Sequence, residues 1–402
     1  MPAVSCLMSM LPPFLRGGIV LWPPGSSRAT PITPGNGSMG TAMRRPTVSA
    51  TTPVGNEYTD VNGCVNFNGP EMQSIAAGID PRVSVIVAAH NEEDVIARRL
   101  ENLLELEYPG EKLEIVVASD ASTDRTEAIA AGFSPRVRLV RAPRAGKVAA
   151  QNLAVRESDA EIVAFSDANA TWAPNALRKL VRNFADPDVA YVFGRLNLRD
   201  AAGGNREGVY WRYETWLRAQ ESLLHSTTGG YGSIYALRRS DYVEVDPRFG
   251  HDLALPYVMV QRGRRAVYEP DAHAFETPTP TNEAEYRRKV RMFEHCWLIA
   301  LRGRMLRRLP PLYWIGIVSH RHLRYASGLL HLAALSTNLA LLAEGWLYVV
   351  TLAAQLGLLA AAALGVGIVR YYVLITWATV AALWNYLRRG VPATWDPGAT
   401  RA

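Results

Sequence analysis

Glu161-Ile-Val-Ala-Phe-Ser-Asp-Ala-Asn-Ala170 runs apolar from Ile162 to Phe165 and then presents Ser166, Asp167 and Asn169 in quick succession. A strand buried on both faces of a parallel sheet reads as a short, nearly continuous apolar run. Ligands in open α/β sheets sit at the carboxyl ends of such strands. Asp167 and Asn169 therefore suit two oxygen ligands for one hard cation. Mg2+ and Mn2+ take one or two protein oxygens and complete their shells with phosphate and water. The competing reading is a βα turn whose Asp or Asn caps the next helix. The stretch alone leaves both open.

Outward from this stretch, order begins at Pro81. Residues 82–89 read as a strand and 93–107 as a helix; 113–118 is a second strand, followed by a helix capped by Ser122 with Asp124 in its first turn. Residues 137–140 form a third strand, 146–155 a third helix, and 174–184 the helix after the opening strand. Strands alternating with helices imply βαβ units joined by right-handed crossovers. The expected fold is α/β, doubly wound, with a mostly parallel sheet and helices on both faces.

Past Tyr191 the alternation loosens. Residues 210–224, 252–262 and 283–304 read as helices, the last strongly basic, and Gly229 to Tyr235 as a glycine-rich loop entering a strand. Residues 1–79, rich in Pro, Gly, Ser and Thr, are expected to be disordered, with Met39 and Met43 as further candidate starts. The three cysteines are scattered without C-x-x-C spacing, which disfavours a disulfide framework or zinc site and suits a reducing compartment.

From Tyr325 the character changes. Residues 325–343, 345–369 and 371–387 lack charged side chains and are separated by Glu344 and Arg370. They read as about three membrane helices between 325 and 390, with aromatic residues near their ends. Residues 306–324 read as an interfacial amphipathic segment and 391–402 as a tail. The net charge is +6, and much of the basic excess follows Arg287. Such a belt suits an anionic cytoplasmic leaflet, and no nucleic-acid motif accompanies it. The α/β domain is thus expected at the cytoplasmic face of the plasma membrane.

Several strand ends carry polar residues. His90-Asn-Glu-Glu93 follows the first strand, Ser119-Asp-Ala-Ser-Thr-Asp124 the second, and Arg141-Ala-Pro-Arg-Ala-Gly-Lys147 the third. The last opens a helix whose N-terminus favours anions. Its spacing matches neither a P-loop nor a G-x-G-x-x-G element. Each turn alone is more often a helix cap; four on one sheet edge point to a nucleotide crevice.

These motifs resemble glycosyltransferase family 2 enzymes of GT-A fold, in the membrane-anchored branch of cellulose, hyaluronan and poly-N-acetylglucosamine synthases. The resemblance also covers Tyr210-Trp-Arg-Tyr-Glu214, Gly232-Ser-Ile-Tyr-Ala236, His251-Asp-Leu-Ala-Leu-Pro256, Tyr268-Glu-Pro270 and Arg287-Arg-Lys-Val-Arg291, spanning roughly 81 to 390 in family order. It implies a GT-A domain over residues 80–305. Asn91, Glu92 and Asp120 would line the base and ribose of the donor, and Lys147 its phosphates. Asp167 with Asn169 would hold Mg2+ or Mn2+. Asp252 would be the general base. Arg288 and Arg291 would bind the donor diphosphate and the acceptor end, and Tyr231, Gly232 and Ser233 would form the acceptor-side loop. Four positions depart from the family pattern: Asn169 replaces the second acid, His251 an acid, Arg288 a Gln and Met292 a Trp. His251 is an alternative base, although packing beside the site is the expected role. Glu214 and Glu221 read as a solvated face paired with Arg212 or Arg218, and Trp211 and Trp216, about 140° apart on a helix, as separate packing residues.

The resulting expectation is an inverting glycosyltransferase moving sugar from a UDP-linked donor to a growing glycan. Two alternatives stand beside it: single transfer onto a polyprenyl or other lipid carrier, and a non-catalytic glycan-assembly partner. Three or fewer spans would form a polymer conduit only with a homo-oligomer or accessory export subunits.

Overall fold

The computed structural model describes residues 79–198, 209–277 and 282–394. Residues 1–78 of the segment 1–79 expected to be disordered, and residues 395–402 of the tail, lie outside the described residues.

Four parallel strands, β1 (Val83–Ala89), β2 (Leu113–Asp120), β3 (Val137–Ala142) and β4 (Ile162–Asp167), lie in the order β3-β2-β1-β4. They are joined by α1 (Ile96–Leu104), α2 (Thr126–Ala131) and α3 (Lys147–Arg156), with α4 (Ala176–Arg182) after β4. All of β1 is buried because its alternate side chains enter different cores. Val83, Val85 and Val87 pack with Ile96 and Leu100 of α1 and Leu177 of α4. Ile86 packs with Ala150 and Ala154 of α3 on the other face. In register, Ala88 lies opposite Asp167, and Ala89 opposite Ser119. The polar turns after these strands therefore share one sheet edge.

The second half of the sheet is mixed. It comprises β5 (Thr171–Trp172), β6 (Val189–Leu198), β7 (Tyr235–Arg238) and β8 (Arg265–Glu276), completing the order β4-β7-β6-β8-β5. β7 runs antiparallel to both β4 and β6, while β8 is parallel to β6. The insertion of β7 decides the site. Tyr235 faces Phe165 at its start and Arg238 faces Ile162 at its end, so the glycine-rich loop before β7 arrives beside Asp167. β8 escaped the sequence reading because Glu269, Pro270 and Asp271 interrupt its apolar pattern. Its ladder to β6 breaks register after Gly194, and there the Ala272 carbonyl comes too close for any side chain on residue 194.

Two further helices, α5 (Val209–Leu224) and α6 (His251–Gln261), cover this half, followed by α7 (Asn282–Arg302) and α8 (Pro311–Ile317). A single π turn, Val318–His322, leads into α9 (Leu323–Ala340); α10 (Trp346–Ala363) and α11 (Gly367–Arg389) complete the chain. By length and composition α10 and α11 could cross a membrane. α9, the first of the three expected spans, carries Arg324, His331 and Asn338 and is not among them. The C-terminal half of α11 packs against α7. Ala378, Thr379 and Ala382 are buried, Trp297 Nε1 of α7 donates to the Thr379 carbonyl at 2.9 Å, and Asn385 donates to Glu294 at 2.8 Å.

Candidate active site

The turns after β1 and β2 lock together through their own polar groups. Asn91 adopts a left-handed conformation with φ 55° and accepts at Oδ1 from the Thr123 amide at 2.8 Å. Ala121 is also left-handed, at φ 53°, unusual for a residue with a Cβ and typical of strained functional turns. The amide of the buried Glu92 donates to Thr126 Oγ1 at 2.8 Å. The helix-capping expectation shifts by two residues: Asp124, not Ser122, caps α2 by accepting from the Thr126 amide at 2.9 Å. Asp120 is fully buried. One carboxylate oxygen accepts from the Ala145 and Gly146 amides at 2.8 and 3.0 Å, and the other from Arg144. Asp120 thus pins the loop that delivers Lys147.

Gly146 itself has φ 99°, and a side chain there would strike the Ala393 carbonyl. The segment after α11 therefore crosses the N-terminus of α3. Glycine is required here for both reasons.

Lys147 Nζ donates to Asp167 Oδ1. Burial disfavours the ammonium, but Asp167, Asp252 and Glu276 together outweigh it and raise the Lys147 pKa. Behind this pair, buried Arg99 lies 4.9 Å from the Trp172 ring centroid and donates to Ser166 Oγ at 2.7 Å. Burial lowers the Arg99 pKa to about 9, with Asp167 working against the drop. Arg99 was invisible in the sequence because its helix reads as ordinary amphipathic packing.

Gly232 marks where the two halves meet. A Cβ built on it would lie 3.6 Å from Lys147 Nζ, 3.7 Å from Asp167 Oδ2 and 3.9 Å from Asp252 Cγ. Any larger residue would project into the space these three groups share. Asp252 sits in the first turn of α6, and its carbonyl receives the Gly230 amide at 2.8 Å. Burial raises its pKa, with Lys147 opposing and Asp167 reinforcing, so its carboxylate is more basic than an exposed one. Ser233 Oγ donates to Glu276 at the end of β8. Burial and then Asp167 raise Glu276 to about 7. Glu276 is a neighbour the sequence reading missed, because it lies on the unrecognised strand.

Other expected residues divide. Tyr231 stacks on Trp211 at 5.3 Å, and Arg218 lies 4.9 Å from the Tyr231 ring centroid. Arg288 pairs with Glu285 at 2.8 Å and acts electrostatically on Glu276, whereas Arg291 lies one turn along α7 near Glu294. Asn169 is exposed at the turn. His251 is buried, with Nδ1 2.9 Å from Tyr235 Oη and Nε2 3.2 Å from Tyr242 Oη. Burial, with Lys147 adding to it, lowers its pKa to about 3. Glu221 corrects its expected place on a solvated face. It is buried, accepts from the Thr228 amide at 3.0 Å and contacts His320 Nδ1 at 2.9 Å, because the π turn packs over that face of α5. Glu214 pairs with Arg218 and also with Arg324, 2.8 Å away, but its side chain is only 12% exposed and so departs from the expected solvated face.

Among the described residues, no three acidic, His or Cys side chains form a ready-made metal cage. Asp167 is nevertheless a partly exposed carboxylate already holding a cationic group. That fits an open site in which Mg2+ or Mn2+ takes few protein oxygens and most of its shell from phosphate.

A curled mixed sheet whose strand-end turns face a glycine loop and two carboxylates is the GT-A arrangement. Residues 84–245 match the glycosyl transferase family 2 model. It is 34% identical over 163 residues to a β-monoglucosyldiacylglycerol synthase from Synechocystis, covering 38% of this chain and 33% of that protein. It is 29% identical over 240 residues to an N-acetylglucosaminyltransferase from Sinorhizobium fredii, covering 53% and 56%. The chain thus spans about a third to a half of these relatives. A mannosyltransferase from Pyrobaculum calidifontis, solved with GDP-Man and Mn2+, is similar in structure at TM-score 0.64 and 27% identity, covering 77% of this chain and 88% of that one.

Proposed function

We propose that this protein is a membrane-anchored, inverting glycosyltransferase that moves a sugar from a nucleoside-diphosphate sugar, expected to be UDP-linked, to a glycan or lipid-linked acceptor at the cytoplasmic face. The convergence of Lys147, Asp167 and Asp252 on the space before Gly232 carries this reading. A divalent cation held by Asp167, with Asn169 and the donor diphosphate, would neutralise charge on the leaving group. Lys147, and Arg288 from α7, share that electrostatic load near the diphosphate. Asp252 takes the acceptor hydroxyl proton as the new glycosidic bond forms. Its raised basicity suits that task. Asn91, Glu92 and Asp120 shape the nucleoside end, while Tyr231, Gly232 and Ser233 face the acceptor. Arg291 belongs to the same helix and completes the basic edge.

α10 and α11 support the membrane anchor, because their exposed apolar surfaces, including Trp346, Leu347 and Ile368, need a non-aqueous neighbour. Purified full-length protein in detergent, given UDP-glucose, UDP-N-acetylglucosamine or GDP-mannose with Mn2+, should release nucleoside diphosphate from one of them. A protein that binds and turns over none of these sinks the enzyme reading and favours a non-catalytic assembly role. Product size separates the acceptors: a ladder indicates glycan elongation, a single added sugar a lipid carrier.

A further inference from the structure

The π turn between α8 and α9 places two side chains against the acceptor side of the site. Arg321 is 4% exposed although it carries a full charge. One of its guanidinium nitrogens donates to the Thr228 carbonyl at 2.9 Å and to the Leu253 carbonyl at 2.8 Å, and Nε donates to Tyr325 Oη at 2.9 Å. Its neighbour His320 meets the buried Glu221, whose carboxylate already receives the Thr228 amide and hydroxyl. Thr228 opens the loop that reaches Gly232, and Leu253 directly follows Asp252. Both carbonyls therefore belong to the two segments whose spacing sets the gap between Asp252 and Gly232. A π turn shifts the side chains that follow it around the helix axis, and such bulges cluster at functional positions. Here the shift turns Arg321 inward while α9 continues outward to the apolar helices.

We propose that Arg321 is a positioning residue for sugar transfer, a buried clamp from the membrane-proximal segment that holds Asp252 at its working distance from the acceptor loop. This rests on the reading of Asp252 as the base. Burying a charged side chain is costly unless it is bonded; Nη1 and Nε make the three bonds above, while Nη2 is buried without a hydrogen-bond partner. Bonding to two backbone carbonyls of separate segments makes its geometry a constraint on both. The anchor and the acceptor site are thereby one mechanical unit: a displacement of α9 is transmitted to Asp252 through one guanidinium. On the donor side, Lys147 bonds to Asp167 and Asp120 to the Ala145 and Gly146 amides, all within the first half of the sheet.

The test compares Arg321→Met, Arg321→Lys and Asp252→Asn in the full chain, using the nucleotide sugar that the wild type turns over. Arg321→Met is expected to lower kcat about 10- to 100-fold, with the Kd for UDP and Mn2+ within 2-fold of wild type, and Arg321→Lys is expected to recover part of the loss. Hydrogen exchange at the Gly230 amide, which bonds to the Asp252 carbonyl, should quicken in Arg321→Met. Unchanged kcat, or a loss of nucleotide affinity in parallel with kcat, overturns the clamp. If Arg321→Met fails to fold, Arg321→Lys decides, because it keeps the charge but not the guanidinium that bonds both carbonyls: a fall in kcat below wild type at constant nucleotide Kd supports the clamp, and wild-type kinetics overturn it. Normal turnover in Asp252→Asn would instead remove the base assignment itself.

Discussion

Around Lys147 and Asp120 the polar side chains bond to partners 20 to 32 residues away, all on strand-end turns of the parallel half-sheet. Around Asp252 the ties reach 68 to 99 residues, to a turn that borders the apolar helices. The first region is built from βα units that fold beside their sequence neighbours. The second exists only once β7 has inserted between β4 and β6 and the π turn has packed over α5. The side-chain bonds of the first region stay among sequence neighbours, with the segment after α11 packed on Gly146 from outside, whereas those of the second reach the membrane-proximal segment.

The largest expected effect falls where the two regions meet. Asp252→Asn should lower turnover by about 10² to 10⁴, the range of general-base catalysis, while donor affinity measured by calorimetry stays near wild type. A parallel loss of donor binding would erase the separation between the halves. Next, Asp167→Ala should weaken Mn2+-dependent nucleotide binding on the order of 100-fold, as loss of a charged metal contact does. Binding that keeps its metal dependence would remove Asp167 from the site.

Smaller effects sharpen the contrast in stability. Asp120→Asn keeps the side chain's shape but loses acceptor capacity for the Ala145 and Gly146 amides. It should cost about 1–3 kcal/mol, read by denaturant unfolding, and weaken nucleotide binding without altering the acceptor KM. An altered acceptor KM would show that the halves are coupled through the loop at Gly146. The mildest test concerns pH. His251 is buried in its neutral form with its pKa lowered to about 3, so the unfolded chain binds its proton first. Stability from this group is fully present above the unfolded value near 6.5 and falls as pH drops toward 3, by up to about 1.4 kcal/mol per pH unit. His251→Gln should flatten that slope in thermal melts between pH 6.5 and 4. An unchanged slope would assign the acid sensitivity elsewhere.

Much of the first region was legible because its physics is local. Continuous apolar runs mark β1, β2 and β4, and polar clusters mark their ends, so the turns holding Asn91, Asp120, Lys147 and Asp167 are legible in the sequence. The second region hid behind misleading patterns. Glu221 sits where a helix face looks solvated, yet it is covered by a segment from elsewhere in the chain. Glu276 ends a strand disguised by Pro270, and Arg99 looks like a surface arginine until Ser166 and Trp172 are seen around it. Asp252 was found through its family resemblance, not through spacing or periodicity.

By itself the sequence determined the alternation of strands and helices, the polar turns on one sheet edge and the apolar C-terminal helices. These follow from side-chain periodicity and from the need to bury or expose apolar surface. Only the tertiary structure decided that β7 runs antiparallel beside β4, that Gly232 lies before Lys147, Asp167 and Asp252, and that Arg321 points inward. Those placements depend on which distant surfaces pack together, and no local pattern encodes the partner of a buried charge.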